Sequence, residues 1–204
     1  MKSRISILGA LTLRQHFNRF AIATILAGVG LLAAAWPAEA EIVYTHVNIT
    51  ITGNASYNLD LNPDGVTDFT ITSVVGCDEP NNCMDGCGVY GYVSEAPSSG
   101  NAALIGPLSE GDEIGPDQVF TAAATTLEGF SIGSNRKGSP CTVHYFGPWH
   151  VRLKGKRYLG LSFQLNGETY YGWVQLNLGE GSAKLHGYAY ESTPGMPINA
   201  GQTK

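Results

Sequence analysis

The sequence predicts an all-β fold: an antiparallel β-sandwich or jelly-roll-like single domain behind an N-terminal signal peptide. Apolar residues from Ile42 onward recur with period two rather than 3.6, as half-buried strands require. The 26 glycines and 10 prolines mostly punctuate these runs, which fits short strands joined by many turns. Asn166-Gly167 separates two strand-like runs in the last third. Both residues tolerate the positive φ of a type I′ turn, so the pair is a strong hairpin signal.

Taken in order, Ile42 to Thr52 places Val43, Val47, Ile49 and Ile51 on one face and Tyr44, His46, Asn48 and Thr50 on the other. Further strands are expected at Ser56 to Leu61, Val66 to Val75, Val89 to Val93, Glu128 to Ile132 and Thr142 to Phe146. Glu95 to Gln118 is the least regular stretch and reads as a long loop with a short edge strand at Ala102 to Ile105. The alanines of Thr121 to Leu127 favour a helical turn or two, against its threonines. Trp149 to Leu153, Arg157 to Leu165, Glu168 to Leu178 and Ala183 to Tyr190 are expected to form a four-stranded antiparallel meander. Leu159, Leu161, Phe163 and Leu165 then share a face that Val174, Leu176 and Leu178 continue, and two packed sheets follow.

Residues 1–40 have the order of an export leader. Lys2, Arg4, Arg14 and Arg19 precede an uncharged apolar run from Phe20 to Trp36, which ends in Pro37 and Ala38-Glu39-Ala40. That is the basic, apolar, small-residue sequence of a secretory signal peptide. An uncleaved membrane anchor is the alternative, since the run is near the lower length limit for spanning a bilayer. Pro37 and the small residues before the cut favour cleavage, with a mature chain over 41–204 beginning at Glu41 and located in the periplasm or outside the cell. The whole chain has 12 basic and 17 acidic residues. Removing the leader's four basic residues and Glu39 leaves 8 against 16, a net charge of −8. Nucleic acid is therefore not an expected partner, and no second apolar run in the mature chain is long enough to cross a membrane.

Cys77, Cys83, Cys87 and Cys141 all lie in the mature part, and an even count in an exported chain points to two disulfides. Four cysteines allow three connectivities. If the strands before Cys77 and after Cys87 pair, Cys77 to Cys87 closes the base of their loop and leaves Cys83 for Cys141. Zinc is the weaker alternative, because no CxxC or neighbouring histidine supplies its usual ligand spacing.

The sharpest local constellation runs from Asp60 to Asp68. Calcium takes six to eight hard oxygen donors, supplied in loops of this kind by positions 1, 3, 5 and 9 and the carbonyl at position 7. Here those are Asp60, Asn62, Asp64, Asp68 and Val66, with Gly65 where the loop must turn sharply. Position 12 is Ile71 rather than a bidentate glutamate and the flanks are strands, so this is no EF-hand. An Asp-Gly turn whose carboxylates face water is the plain alternative. Three carboxylates within nine residues repel one another, and a divalent cation removes that cost. The expected role is structural.

Signals for catalysis are sparse. His144 and His150 have no third ligand or oriented nucleophile at a recognisable spacing, no GxSxG or HExxH occurs, and Glu110, Asp112, Glu113 and Asp117 read as a solvated loop. Tyr170, Tyr171, Trp173, Tyr188 and Tyr190 offer a binding idea. Turned outward they would form a flat surface on which sugars stack, and turned inward they are core.

The runs Tyr158 to Phe163, Tyr170-Tyr171-Gly172-Trp173-Val174-Gln175-Leu176 and Gly187-Tyr188-Ala189-Tyr190-Glu191, with the early Asp60 to Phe69 segment, resemble a loose group of secreted bacterial β proteins. Most have no assigned activity, and some end in a PEP-CTERM sorting tail. Ala200-Gly201-Gln202-Thr203-Lys204 has no such apolar, basic-ended character, so sorting by that route is not implied. The resemblance implies location and a β fold without an activity. The expectation is an exported, calcium-stabilised β protein with a structural or binding role at the cell surface, in the periplasm or in the matrix. Its partners would be calcium and a carbohydrate or cell-surface protein. A lectin-like module is the alternative, and a secreted hydrolase comes third.

Overall fold

The computed structural model describes residues 40–77, 88–133, 140–149 and 156–204. The expected signal peptide, Cys83, Cys87 and His150 fall outside the described residues. The unit Ala40–Lys204 contains no helix among its described residues, and its strands pair antiparallel throughout. They are β1 (Ile42–Thr52), β2 (Ser56–Leu59), β3 (Phe69–Cys77), β4 (Val89–Pro97), β5 (Ala102–Ala103), β6 (Glu113–Ile114), β7 (Thr125–Gly133), β8 (Thr142–Phe146), β9 (Arg157–Leu165), β10 (Glu168–Gly179), β11 (Ser182–Glu191) and β12 (Ile198–Asn199).

A central sheet has the order β1-β11-β10-β9-β5, an open sheet the order β2-β3-β4-β7-β8, and a small third sheet pairs β12 with β6. The turn between β9 and β10 is the expected one: Asn166 has φ 55° and Gly167 φ 82°, and Leu165 pairs with Glu168 across them. Alternation in β1 holds, with Ile51 buried and Tyr44, His46, Asn48 and Thr50 exposed.

The main core lies between the two large sheets. The central sheet contributes Leu159, Leu161, Phe163, Val174 and Leu176, and the open sheet answers with Leu59, Phe69, Ile71, Val93 and Leu127. Ser73 of β3 donates its hydroxyl hydrogen to the Gly181 carbonyl in the β10–β11 turn, tying the sheets at one end. A second core occupies the other face of the central sheet, where Tyr158, Tyr171, Trp173 and Ala189 meet Ile114, Ile198 and Ala200. β10 is therefore covered on both faces.

Two expectations need correction. Thr121 to Leu127 is not helical: Thr121 bridges to Ala103 and β7 begins at Thr125. Its β-branched threonines and two available strand partners outweigh the alanines. Among the described residues the C-terminal meander has three consecutive strands, β9 to β11, and the short β5 pairs with β9. Of the expected strand Trp149 to Leu153, Trp149 lies in a turn and donates its backbone N–H to the Leu127 carbonyl at 2.9 Å, and residues 150–153 lie outside the described residues. Of the two orientations open to the aromatics of the last third, the inward one holds: Tyr170 and Tyr188 are buried between the two large sheets, and Tyr171 and Trp173 are buried on the other face of the central sheet, which the small sheet covers.

Candidate functional site

The Asp60 to Asp68 loop joins β2 to β3, whose pairing begins where it ends, with Leu59 opposite Phe69. Gly65 has φ 86°, the left-handed conformation for which position 6 needs glycine. Asp60 organises the turn: its two carboxylate oxygens accept the N–H groups of Asp64 at 3.2 Å and Gly65 at 2.8 Å. Asp64 accepts the Val66 N–H at 2.8 Å and the Asn62 side-chain amide at 3.0 Å. At the far end Asp68 is buried. It accepts the Leu61 N–H at 2.8 Å and the Asn101 side-chain amide at 3.2 Å, which turns Leu61 into the core.

Opposing influences act on Asp68. Burial pushes its carboxyl upward, the bonds from Leu61 and Asn101 pull it back, and the nearby Asp64 and Asp60 charges push it up again. Asn62 is the exception to this satisfied network. Its side-chain oxygen is buried and has no hydrogen-bond partner, although it stands at position 3, where a calcium loop places a ligand. Among the described residues no group of three or more His, Cys, Asp or Glu side chains is gathered as a metal cage. The carboxylates of Asp60 and Asp64 are turned to backbone amides, and Val66 is exposed.

Two residues outside the predicted set matter. Asn101, itself buried, binds Asp68 with its amide and accepts the Gln164 N–H at 2.9 Å with its oxygen. It thereby links the loop to β9, and no local pattern marks it. Glu95 was expected to open a long loop and instead lies within β4. It continues the inward phase of Gly91 and Val93 in β4, and it is 1 % exposed with neither carboxylate oxygen hydrogen-bonded. Burial pushes it up to about 7.

The other candidates stay apart. Glu110, Asp112, Glu113 and Asp117 are exposed, and His144 is exposed on β8, 3.1 Å from the Thr142 hydroxyl. Neither Cys77 nor Cys141 is a free thiol. They stand at the same end of the open sheet, one closing β3 and the other preceding β8, with β4 and β7 between. Three strand spacings amount to roughly 14 Å, twice the reach of a disulfide, so these two do not bridge to each other. No family model matches the chain, and neither a curated protein nor a solved structure matches it. Among the described residues no helix is long and apolar enough to cross a membrane.

Proposed function

We propose that this chain is an exported β-sandwich protein with a structural or binding role outside the cytoplasm, stabilised by one calcium ion at the Asp60 to Asp68 loop. The observation that carries the calcium assignment is the buried, unpartnered side-chain oxygen of Asn62. It sits between Asp60 and Asp64 in sequence, where hard oxygen ligands are wanted. Among the described residues, none of the three loop carboxylates forms an ion pair with a basic side chain, and the loop's charge finds no counter-ion among them. Asp60, Asn62, Asp64, Asp68 and the Val66 carbonyl would hold the ion, which would supply charge neutralisation and a fixed turn rather than chemistry. The basic and apolar order of residues 1–40 supports export, and the four cysteines support two disulfides, Cys77 to Cys87 and Cys83 to Cys141. That pairing agrees with the distance that separates Cys77 from Cys141.

Thermal melting of metal-stripped protein tests the calcium assignment. Calcium at a hundred times its dissociation constant is expected to add about 2.7 kcal/mol if the unfolded chain does not bind it, and Asp64→Ala is expected to abolish the shift. Equal melting in calcium and in chelator would remove the ion from the account. N-terminal sequencing of exported protein tests the leader, with Glu41 expected first.

A further inference from the structure

One face of the open sheet carries aromatic side chains that the cores do not use. The register places Val74, Tyr92, Gly129 and Phe146 in one row across β3, β4, β7 and β8, and Gly76, Tyr90, Ser131 and His144 in the next. These positions alternate with the buried Ser73, Gly91 and Val93, so they point away from the central sheet. Phe146 is 42 % exposed, and Tyr90 and Tyr92 are half-buried.

Glycine decides how two of these rings lie. A Cβ on Gly129 would collide with three atoms of the Phe146 ring, and one on Gly76 would stand 2.6 and 2.7 Å from the Tyr90 hydroxyl oxygen and Cζ. Each ring therefore leans over its cross-strand glycine and lies along the sheet, with one face on the backbone and the other toward water. A third pair of this kind, Phe130 over Gly91, lies on the inner face and is buried.

Among the described residues, the surroundings of the outward pairs are hydroxyl-rich and hold no Asp, Glu, Lys or Arg. Toward β2 the same face continues with hydroxyls, and Ser56 meets Thr72 at 2.9 Å while Thr70 bonds Asn58 at 3.2 Å. Ser94, Thr126 and Ser131 continue it across β4 and β7. Among the described residues no Asp, Glu, Lys or Arg stands on the face, although the mature chain has 8 basic and 16 acidic residues. A charged polymer would find no counter-charge here, whereas flat rings and hydroxyls suit a ligand that is uncharged, has apolar ring faces and carries hydroxyl groups at its edges.

We propose that the outer face of the open sheet binds a neutral polysaccharide, with Tyr92 and Phe146 as stacking surfaces and Gly129 holding the Phe146 ring flat. This deepens the binding role proposed above and rests on export. It does not rest on the calcium loop, which lies before β3 and about 20 Å or more along that strand from these rows.

The test is a glycan array bearing neutral β-glucan, xylan, mannan and chitin oligosaccharides beside acidic alginate, polygalacturonate and heparin. It is run with the disulfide-intact mature protein in calcium and in chelator. Binding to at least one neutral glycan, unchanged between low and high salt, is the expected result. Phe146→Ala and Tyr92→Ala should each weaken it roughly tenfold. Gly129→Ala is the sharper variant, because it keeps every aromatic side chain and only lifts the ring, and its melting curve shows separately that the fold is kept. Binding confined to acidic glycans, no binding at all, or binding untouched by Gly129→Ala and by the Tyr92/Phe146 double variant overturns the proposal. So does a concentration-dependent dimer that the same variants abolish, which would assign the face to a second copy of the chain. Loss of the calcium-dependent melting shift with glycan binding retained would reject the calcium site alone.

Discussion

β10 of the central sheet and β4 of the open sheet both interleave aromatics with glycine, as Tyr170-Tyr171-Gly172-Trp173 and Tyr90-Gly91-Tyr92, yet their rings have opposite fates. Trp173 is 2 % exposed and meets Tyr158 edge-on at 5.2 Å, while its indole N–H donates to the Gln202 carbonyl. Tyr90 and Tyr92 keep a side in water. The difference comes from a distant element: β6, β12 and the C-terminal residues cover the second face of the central sheet, and no corresponding layer covers the open sheet among the described residues. Aromatic content is thus a poor guide to a binding surface until the covering layers are known.

The comparison can be broken most directly by truncating one ring from each sheet. Trp173→Ala is expected to cost about 3 to 5 kcal/mol, because it opens a cavity in a core closed on every side. Tyr92→Ala is expected to cost about 1 kcal/mol or less, since a half-exposed cross-strand position contributes little more. Urea denaturation of both variants gives the two numbers, and equal losses would mean that the open face is covered after all.

Covalent ties should matter most on the open sheet, where every residue of the edge strand β8 is exposed. Cys141→Ser, made together with its proposed partner Cys83→Ser, is expected to lower stability by about 4 kcal/mol, more than loss of the short Cys77 to Cys87 link, because it frees a longer loop. Non-reducing peptide mapping checks the pairing. A Cys77 to Cys141 peptide would contradict the strand order itself.

Glu95 distinguishes the inner face of the open sheet, where it is 1 % exposed and neither of its carboxylate oxygens is hydrogen-bonded. Its carboxyl is raised to about 7 by burial, so between the ordinary carboxylate range and pH 7 the native state holds a proton that the unfolded chain has released. The associated stability is complete below the unfolded value and is lost as pH rises through about 7, a change of roughly 3 kcal/mol. Glu95→Gln removes this titration. Its stability relative to the parent should therefore improve by about that amount between pH 4 and pH 8, measured by urea unfolding at both. A constant difference would show that Glu95 finds a partner for its charge.

Much of the local structure was determined by the sequence alone. Period two fixed the inward residues of β1, β9 and β10, because a strand's side chains must alternate whatever lies beyond them. Asn166-Gly167 fixed the β9–β10 register, because few residue pairs accept positive φ twice. Gly65 marked the turn of the acidic loop for the same reason, whereas Glu95, expected to open a long loop, continues β4 and points inward. The tertiary structure decided what period two cannot express: how many layers cover a sheet. Both faces of β10 are apolar or aromatic, so no local pattern says whether one of them meets water. That depended on Ile114 and Ile198, two residues far apart in the chain that meet as β6 and β12. Asn101 became visible as the partner of Asp68 only when residues 33 positions apart were brought within hydrogen-bonding distance. Flat rings over Gly76 and Gly129 likewise depended on cross-strand register, because a glycine and the aromatic it accommodates are chosen by pairing between strands and not by order along one.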